Sequence, residues 1–317
     1  LGNGGAEFNQ GAHSTSGEST PTIHNLGASS SNSTLILIDG HNITPSGNDG
    51  YTDPSIIPAI ALQRVDILAD GDSAVYGSNA VAGVLNFITR KDYEGFLTDV
   101  SFSSASPRQT FTFSQLAGHR WETGSAMIAY EYNSTGQLRY GDRDRTRNAD
   151  LRYLGGSNFK NFNCSPASIS TTIASTAQVY AYPYTGAPVA QANNSLAGTC
   201  SSSPTSTLLP SANTNTVFAT VTQDITDKLR ARLDLNYASR VNMNQQAQSA
   251  IVGYAYGPNG SSPALGTGSI NPFYESNAAI GNSREYIRYD PTSLIGPSYN
   301  KTGIHSVSAN LNLTYQF

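Results

Sequence analysis

The chain is short of charge. Its 18 basic and 22 acidic residues make up only 13% of 317 residues, where a soluble globular domain carries about 25%. Ser, Thr, Asn, Gln and Gly fill the deficit. The small acidic excess, a net charge of -4, leaves no basic stripe and no electrostatic footprint for nucleic acid. No run of about 18 apolar residues exists, which excludes a transmembrane helix. His13, His24, His41, His119 and His305 are scattered without metal-ligand spacing. Asp66, Asp70 and Asp72 lack the acidic twelfth position of a calcium loop. A Gly-x-Ser-x-Gly elbow and a phosphate-binding Gly-Lys-Ser/Thr loop are both missing. These absences leave no cofactor, no metal and no catalytic group to expect, and argue against an enzyme. Leu1 is not an initiator Met and no signal peptide follows it, so the start is expected to have been removed or never included.

A membrane is not excluded, because a spanning β-strand needs only about 9–11 residues with every second one apolar. Two cysteines, Cys164 and Cys200, sit in a long polar stretch. They imply an oxidising compartment and a disulfide, with two unpaired thiols as the alternative. Tyrosine is plentiful, with 18 copies against one Trp.

Two patterns divide the sequence near Gly95. Before it, Thr34-Leu35-Ile36-Leu37-Ile38 is a short apolar run closed by Asp39-Gly40, which reads as a strand buried on both faces. Val65 to Leu68 and Gly83 to Thr89 read as two more short strands. After Gly95, period-2 alternation takes over. Leu229, Ala231, Leu233, Leu235 and Tyr237 share one face of a strand, with Lys228, Arg230, Arg232, Asp234 and Asn236 on the other. Val307, Ala309, Leu311, Leu313, Tyr315 and Phe317 repeat the pattern. Weaker versions run through 96–103, 109–117, 124–133 and 215–225. Aromatics at strand ends, such as Phe96, Phe102, Tyr130 and Tyr132, suit an interfacial girdle. The connections alternate between short turns (119–122 and 226–227) and long segments at 134–213 and 241–303, as outer-membrane barrels do. A soluble secreted β-domain binding a partner stays open as an alternative, as does a passive porin or adhesin barrel.

The segment Thr34 to Lys91 carries a specific resemblance. It runs Thr-Leu-Ile-Leu-Ile-Asp-Gly at 34–40, Ile57-Pro58, Arg64-Val65-Asp66-Ile67-Leu68, then Gly71-Asp72-Ser73-Ala74-Val75-Tyr76-Gly77 through Gly83-Val84-Leu85-Asn86-Phe87-Ile88-Thr89. In order and spacing this resembles the plug domain of TonB-dependent outer-membrane receptors. It departs where the family has Arg-Gly ahead of the Asp-Gly strand, here Ile23-His24-Asn25-Leu26-Gly27, and where Gly-Gly is Ala82-Gly83. The family's TonB box is not visible.

The resemblance implies a mainly β fold. An N-terminally truncated α+β plug at 1–94 would be followed at 95–317 by antiparallel transmembrane β-barrel strands. About six strands are expected where plugged transporters have about 22, so the chain reads as a fragment of a protein roughly twice as long or more. It implies active transport of a scarce ligand (ferric siderophore, haem, cobalamin or carbohydrate), the bacterial outer membrane as location, and TonB with its inner-membrane complex, ligand and lipid as partners, in a monomer. Asp39, Gly40, Arg64, Gly71, Ser73, Tyr76, Gly77, Gly83 and Asn86 are expected to hold the plug together. Among them Arg64 is expected to pair with a wall carboxylate, and Asn86 to hydrogen-bond a neighbouring loop. Ligand contacts are expected from His24, Asn25, His41, Asn42 and Tyr51 on plug loops, then from loop aromatics Tyr180, Tyr182, Tyr184, Tyr254 and Tyr256. The mixed run Asp142 to Arg147 reads as a solvated face. His41→Ala and Tyr51→Ala should weaken ligand binding without unfolding the barrel; unchanged affinity in a titration of the full-length protein would remove both from the site.

Overall fold

The computed structural model describes residues 2–3, 21–24, 33–42, 52–69, 73–158, 160, 163–165, 167–170, 179–181, 200, 204–258, 261–262, 266–267, 274 and 284–317. Contacts divide the chain into two units. One holds Leu1–Leu138, Leu208–Asn244 and Asn300–Phe317, the other Arg139–Thr207 and Gln245–Tyr299.

The first unit begins with a four-stranded sheet of β1 (Thr34–Ile38), β2 (His41–Asn42), β3 (Leu62–Leu68) and β4 (Gly83–Thr89). Their order is β2-β1-β4-β3, with β1 parallel to β4 and β3 antiparallel to it. The apolar run in β1 is covered on both sides. Leu35 and Leu37 pack with Ala80 and Val84, while Leu85 on the other face packs with Ile23 and Ala82. Asp39 and Gly40 turn the chain into β2 with φ of +48° and +81°, the pair of left-handed residues that a two-residue Asp-Gly hairpin requires. Gly83 is obligatory for a different reason. A Cβ there would lie 2.3 Å from the Leu68 carbonyl oxygen, at a φ of +129°, so only glycine lets β4 begin against the end of β3.

After Gly95 come β5 (Gly95–Ala105), β6 (Arg108–Trp121), β7 (Gly124–Thr135), β8 (Ser168–Ser170), β9 (Val179–Ala181), β10 (Ser211–Thr226), β11 (Leu229–Gln246), β12 (Ile251–Tyr256), β13 (Arg284–Tyr289) and β14 (Ser298–Tyr315). Six of them form one sheet, ordered β14-β11-β10-β7-β6-β5, that does not close on itself. Its antiparallel register runs unbroken from Gly95 opposite Gly118 to Ser211 opposite Met243, except for an irregularity at Asp224 to Thr226.

Away from a buried apolar patch of Leu116, Met127, Ala129, Phe218 and Ala238, this sheet is polar where it is buried, and it is apolar where it is exposed. Along β11, Asp234, Asn236, Arg240, Asn242 and Asn244 are buried, while their neighbours Leu233, Leu235 and Tyr237 are exposed. On β14, Val307, Leu311 and Leu313 are 78%, 65% and 63% exposed, and Phe96 on β5 is 83% exposed. A sheet packed in water places these residues the other way round. An apolar exterior over a polar interior is the arrangement of a wall in lipid.

The strands exceed the reach of the alternation. β11 runs to Gln246 and β14 starts at Ser298, while β7 extends to Thr135 and β10 starts at Ser211. The long connections at 134–213 and 241–303 are therefore shorter than the sequence pattern sets them. Residues such as Asn213 and Asn215 keep the backbone ladder while dropping the apolar face, which a strand does once it leaves hydrocarbon.

Nor are these connections simply loops. In the second unit β9, β8, β13 and β12 form a four-stranded antiparallel sheet in that order. Tyr180, Tyr254 and Tyr256 therefore lie on strands rather than loops; three to six residues are too few for their alternation to stand out against the surrounding polar sequence. Cys164 and Cys200 form a disulfide, with their Cα atoms 5.7 Å apart. In the charged run, Asp142 pairs with Arg139 at 3.1 Å and Asp144 with Arg147 at 3.4 Å, local pairs on an accessible surface. Because Leu311 lies on the outer face and Ser308 on the inner one, Leu311→Arg should cost about 2–4 kcal/mol near the bilayer midplane and Ser308→Arg much less. Urea titration of protein refolded into phospholipid vesicles reads this, and equal costs would place the leucine face away from lipid.

Candidate functional site at the plug–wall junction

The Asp-Gly turn is where the plug motif residues meet. The Asp39 backbone N–H donates to the Phe87 carbonyl oxygen at 3.0 Å, and the Gly40 N–H donates to Asn86 Oδ1 at 2.9 Å. The Asp39 carboxylate accepts from the Thr89 backbone N–H at 3.0 Å and from Thr89 Oγ1 at 2.5 Å. A turn held by its own sheet on three sides presents one remaining acceptor direction, outward to the wall.

Arg232 of β11 fills it. Its Nη2 donates to Asp39 Oδ2 at 3.0 Å and to Thr89 Oγ1 at 3.1 Å, and its Nε donates to Asp234 Oδ1 at 2.7 Å. The arginine side chain is 12% exposed and both aspartates 9%. A buried charge is costly unless paired and hydrogen-bonded, and this one is met by two carboxylates and a hydroxyl.

A second clasp lies eight residues further along β11. Asp53 is buried and caps the short turn Pro54–Ile56, accepting from the Ser55 N–H at 2.9 Å and from Ser55 Oγ at 2.6 Å. Arg240 Nη1 donates to Asp53 Oδ2 at 2.5 Å, and its Nη2 donates to Ser55 Oγ. Eight strand residues at about 3.3 Å each put the two arginines roughly 26 Å apart along the strand. Between the clasps the contact is apolar: Ile56, Ile57 and Ala61 of the plug pack with Leu116, Met127, Ala129, Phe218 and Ala238 of the wall. Glu131 of β7 adds a polar tie, accepting from the Ala59 N–H at 3.0 Å and Ser114 Oγ at 3.2 Å.

At the link into β5, the Glu94 carboxylate accepts from the Arg120 N–H at 2.6 Å and faces His119 Nδ1 at 3.2 Å. The backbone hydrogen bond, ahead of His119, holds the Glu94 pKa below its usual value. A depressed carboxylate stabilises the folded state above its ordinary pKa and ceases to as pH falls through the folded one.

The expected residues fall in several places. His41 and Asn42 are exposed on β2 and border a cleft of about 80 Å³ shared with Asp234, Asn236 and Asn310 of the wall. His24, with a φ of +63°, sets its Nε2 2.7 Å from the Ala69 carbonyl oxygen. Ser73 and Tyr76 bound a one-turn helix that ends at Gly77, whose φ is +86°. Tyr254 belongs to the second unit. Asn25, Tyr51, Gly71, Tyr182 and Tyr184 lie outside the described residues. Arg64 corrects the expectation of a wall carboxylate. It pairs with Asp66 at 2.9 Å on its own strand, because residues two apart share a strand face and β3 is exposed along most of its length. Sequence reasoning did not single out Asp53, Arg232 or Arg240. The available signal was a pair of arginines on the inward face of a wall strand in a chain with little charge. Among the described residues, no group of three or more His, Cys, Asp or Glu is arranged to hold a metal ion.

Residues 4–84 match the TonB-dependent receptor plug domain. The chain is 30% identical over 120 residues to an iron-regulated outer membrane virulence protein of Vibrio cholerae serotype O1, in each of two strains. That stretch is 36% of this chain and 18% of the relative, so the chain spans well under two thirds of the relatives' length. Among solved structures it resembles the siderophore receptor PirA of Acinetobacter baumannii (TM-score 0.39, 15% identity, 97% of this chain and 44% of that one). It also resembles a ferric enterobactin receptor, PfeA, in complex with BCV-L6 (TM-score 0.38, 11% identity, 88% and 38%).

Arg232→Ala leaves Asp39 and Asp234 facing each other in a buried site and should destabilise the plug by about 3–5 kcal/mol. Arg64→Ala, which opens an exposed pair, should cost less than about 1 kcal/mol. Denaturant titration in detergent micelles reads both, and equal losses would show that the clasp carries no special weight.

Proposed function

We propose that this chain, whose residues 4–84 match the TonB-dependent receptor plug domain, works in TonB-dependent uptake of an iron carrier across the bacterial outer membrane. One observation carries the reading: a small sheet is fastened by buried charge pairs to the polar inner face of a sheet whose apolar side faces outward. A body so fastened blocks a lumen at rest, and opening a path requires work. TonB, coupled to the inner membrane, is the partner that supplies it. No bond in the ligand need break, so no catalytic group is required.

The ligand class follows from the company the chain keeps. The Vibrio relative is named as an iron-regulated outer membrane protein. That favours a ferric siderophore over cobalamin or a carbohydrate, with haem as the other iron source. His41 and Asn42 border a cleft on the wall's inner face, which supports them as contacts for cargo moving past the plug.

A passive porin would gain nothing from a plug clasped at two points, and a soluble domain would not turn Leu311 and Leu313 outward. Deleting the encoding gene should abolish growth on one ferric carrier under iron starvation. Complementation should restore growth only in cells with working TonB. Restored growth without TonB, or no iron phenotype on any carrier, overturns the proposal.

A further inference from the structure

Arg232 holds the plug with only part of its guanidinium. Its Nη2 serves the plug, donating to Asp39 Oδ2 at 3.0 Å and to Thr89 Oγ1 at 3.1 Å. Its Nε serves the wall, donating to Asp234 Oδ1 at 2.7 Å and to Thr220 Oγ1 at 3.3 Å. Asp234 stands two residues further along β11, on the same strand face, and Thr220 lies opposite it on β10. These wall contacts lie within one sheet and do not depend on the plug. Among the described residues only Arg232 donates to Asp234, and only to its Oδ1.

The same Arg-x-Asp spacing occurs on β3, where no plug–wall contact intervenes. There Arg64 closes a side-on fork on Asp66, Nε to Oδ1 at 2.9 Å and Nη2 to Oδ2 at 3.3 Å. Arg152 makes the same fork on Asp150, two residues before it, at 2.8 Å and 2.7 Å. The fork closes because Nε and Nη2 lie on one edge of the guanidinium and match the two oxygens of one carboxylate. On β11 the Nε half of that fork is in place, and Asp39 of the plug holds the Nη2 that would complete it. Asp39 and Asp234 both border the cleft between β2 and the wall, so the Asp234 carboxylate has space to turn.

We infer that Asp234 is a positioning residue that receives Arg232 when the plug leaves. Nη2 passes from Asp39 Oδ2 to Asp234 Oδ2, the fork closes, and the wall arginine keeps a carboxylate throughout. Asp234 thereby makes release easier, and its hold on Nε keeps the guanidinium aimed for reseating. This rests on the uptake reading, because a plug that never leaves has no use for a second acceptor.

The sign of the effect separates this role from a structural one. Asp234→Asn removes one charge-assisted contact from the seated state and two from the released state. It also removes a like charge that competes with Asp39 for the same guanidinium while the plug is seated. The seated state therefore gains on the released one. A residue that merely props Arg232 towards Asp39 predicts the reverse, a looser plug.

The experiment uses the full-length receptor in detergent micelles. Ala238→Cys places a thiol on β11 between the two arginines, under the apolar contact with Ile56 and Ile57 of the plug. Cys164 and Cys200 are bonded to each other, and the receptor without Ala238→Cys serves as the blank. At a fixed urea concentration below the unfolding transition, the rate of maleimide labelling follows the fraction of plug that has opened. Asp234→Asn should slow labelling by about threefold to fivefold, the range of an exposed ion pair. Asp39→Asn should speed it, and by a larger factor in the Asp234→Asn background, where no carboxylate remains for the buried arginine. That comparison keeps the test valid should Asp234→Asn shift the overall stability of the receptor. Labelling that is faster or unchanged with Asp234→Asn, or a speeding by Asp39→Asn that is no larger in that background, overturns the inference. Labelling needs neither ligand nor TonB, so its outcome is separate from that of the growth test. Slowed labelling without an iron phenotype sinks the uptake reading; quickened labelling beside TonB-dependent growth sinks the transfer of Arg232 alone.

Discussion

A cation on the inner face of a membrane wall has few stable options. It stands in water or finds a carboxylate, and the chain supplies one from each of two distant turns. Arg232 and Arg240 share a face of one strand, and each receives an aspartate whose backbone is already fixed by its own capping bonds. Asp39 is locked by Thr89 and the Asp-Gly turn, and Asp53 by Ser55. Pre-fixed acceptors matter because ordering a loose side chain would consume much of what the pair contributes. The plug motif thus shapes the plug sheet and at the same time aims one carboxylate at the wall.

Everything else about the first unit follows from the inversion of the wall. With leucine and valine facing out, the inner face must be polar, and a body filling it needs polar fastenings around a modest apolar contact. Ile56, Ile57 and Ala61 supply the latter against Leu116, Met127 and Phe218. Beside its charged residues, the wall's interior carries buried Ser114, Thr216, Thr220, Asn236 and Asn242, which hydrogen-bond without the desolvation cost of charge. The low charge content of the whole sequence is the compositional trace of that interior.

Much of the fold was legible because its signals are local. Asp39-Gly40 announces a hairpin, the apolar run before it a buried strand, and alternation from Gly95 onward a wall of six strands. The clasps were not legible, because Arg232 and Arg240 meet Asp39 and Asp53 across more than 180 residues and no spacing rule reaches that far. Arg64 misled for a related reason: a charge within a motif suggests a distant partner, yet Asp66 stood two residues away. The strand ends ran past the pattern because backbone pairing continues where apolar alternation stops. The sheet in the second unit went unseen because strands of three to six residues leave too short a trace in polar sequence.

Placing both clasps on a single strand has a mechanical consequence. A tug directed along β11 loads the two joints in parallel, as a lap joint resists shear, so neither yields until the combined strength is exceeded. A tug directed across the strand from one end loads them in series, as tape is peeled, and each yields in turn at much smaller force. The least force that parts the two joints is therefore one that lifts one edge first. The roughly 26 Å between joints then sets the stroke over which the second still holds the plug in register after the first has parted.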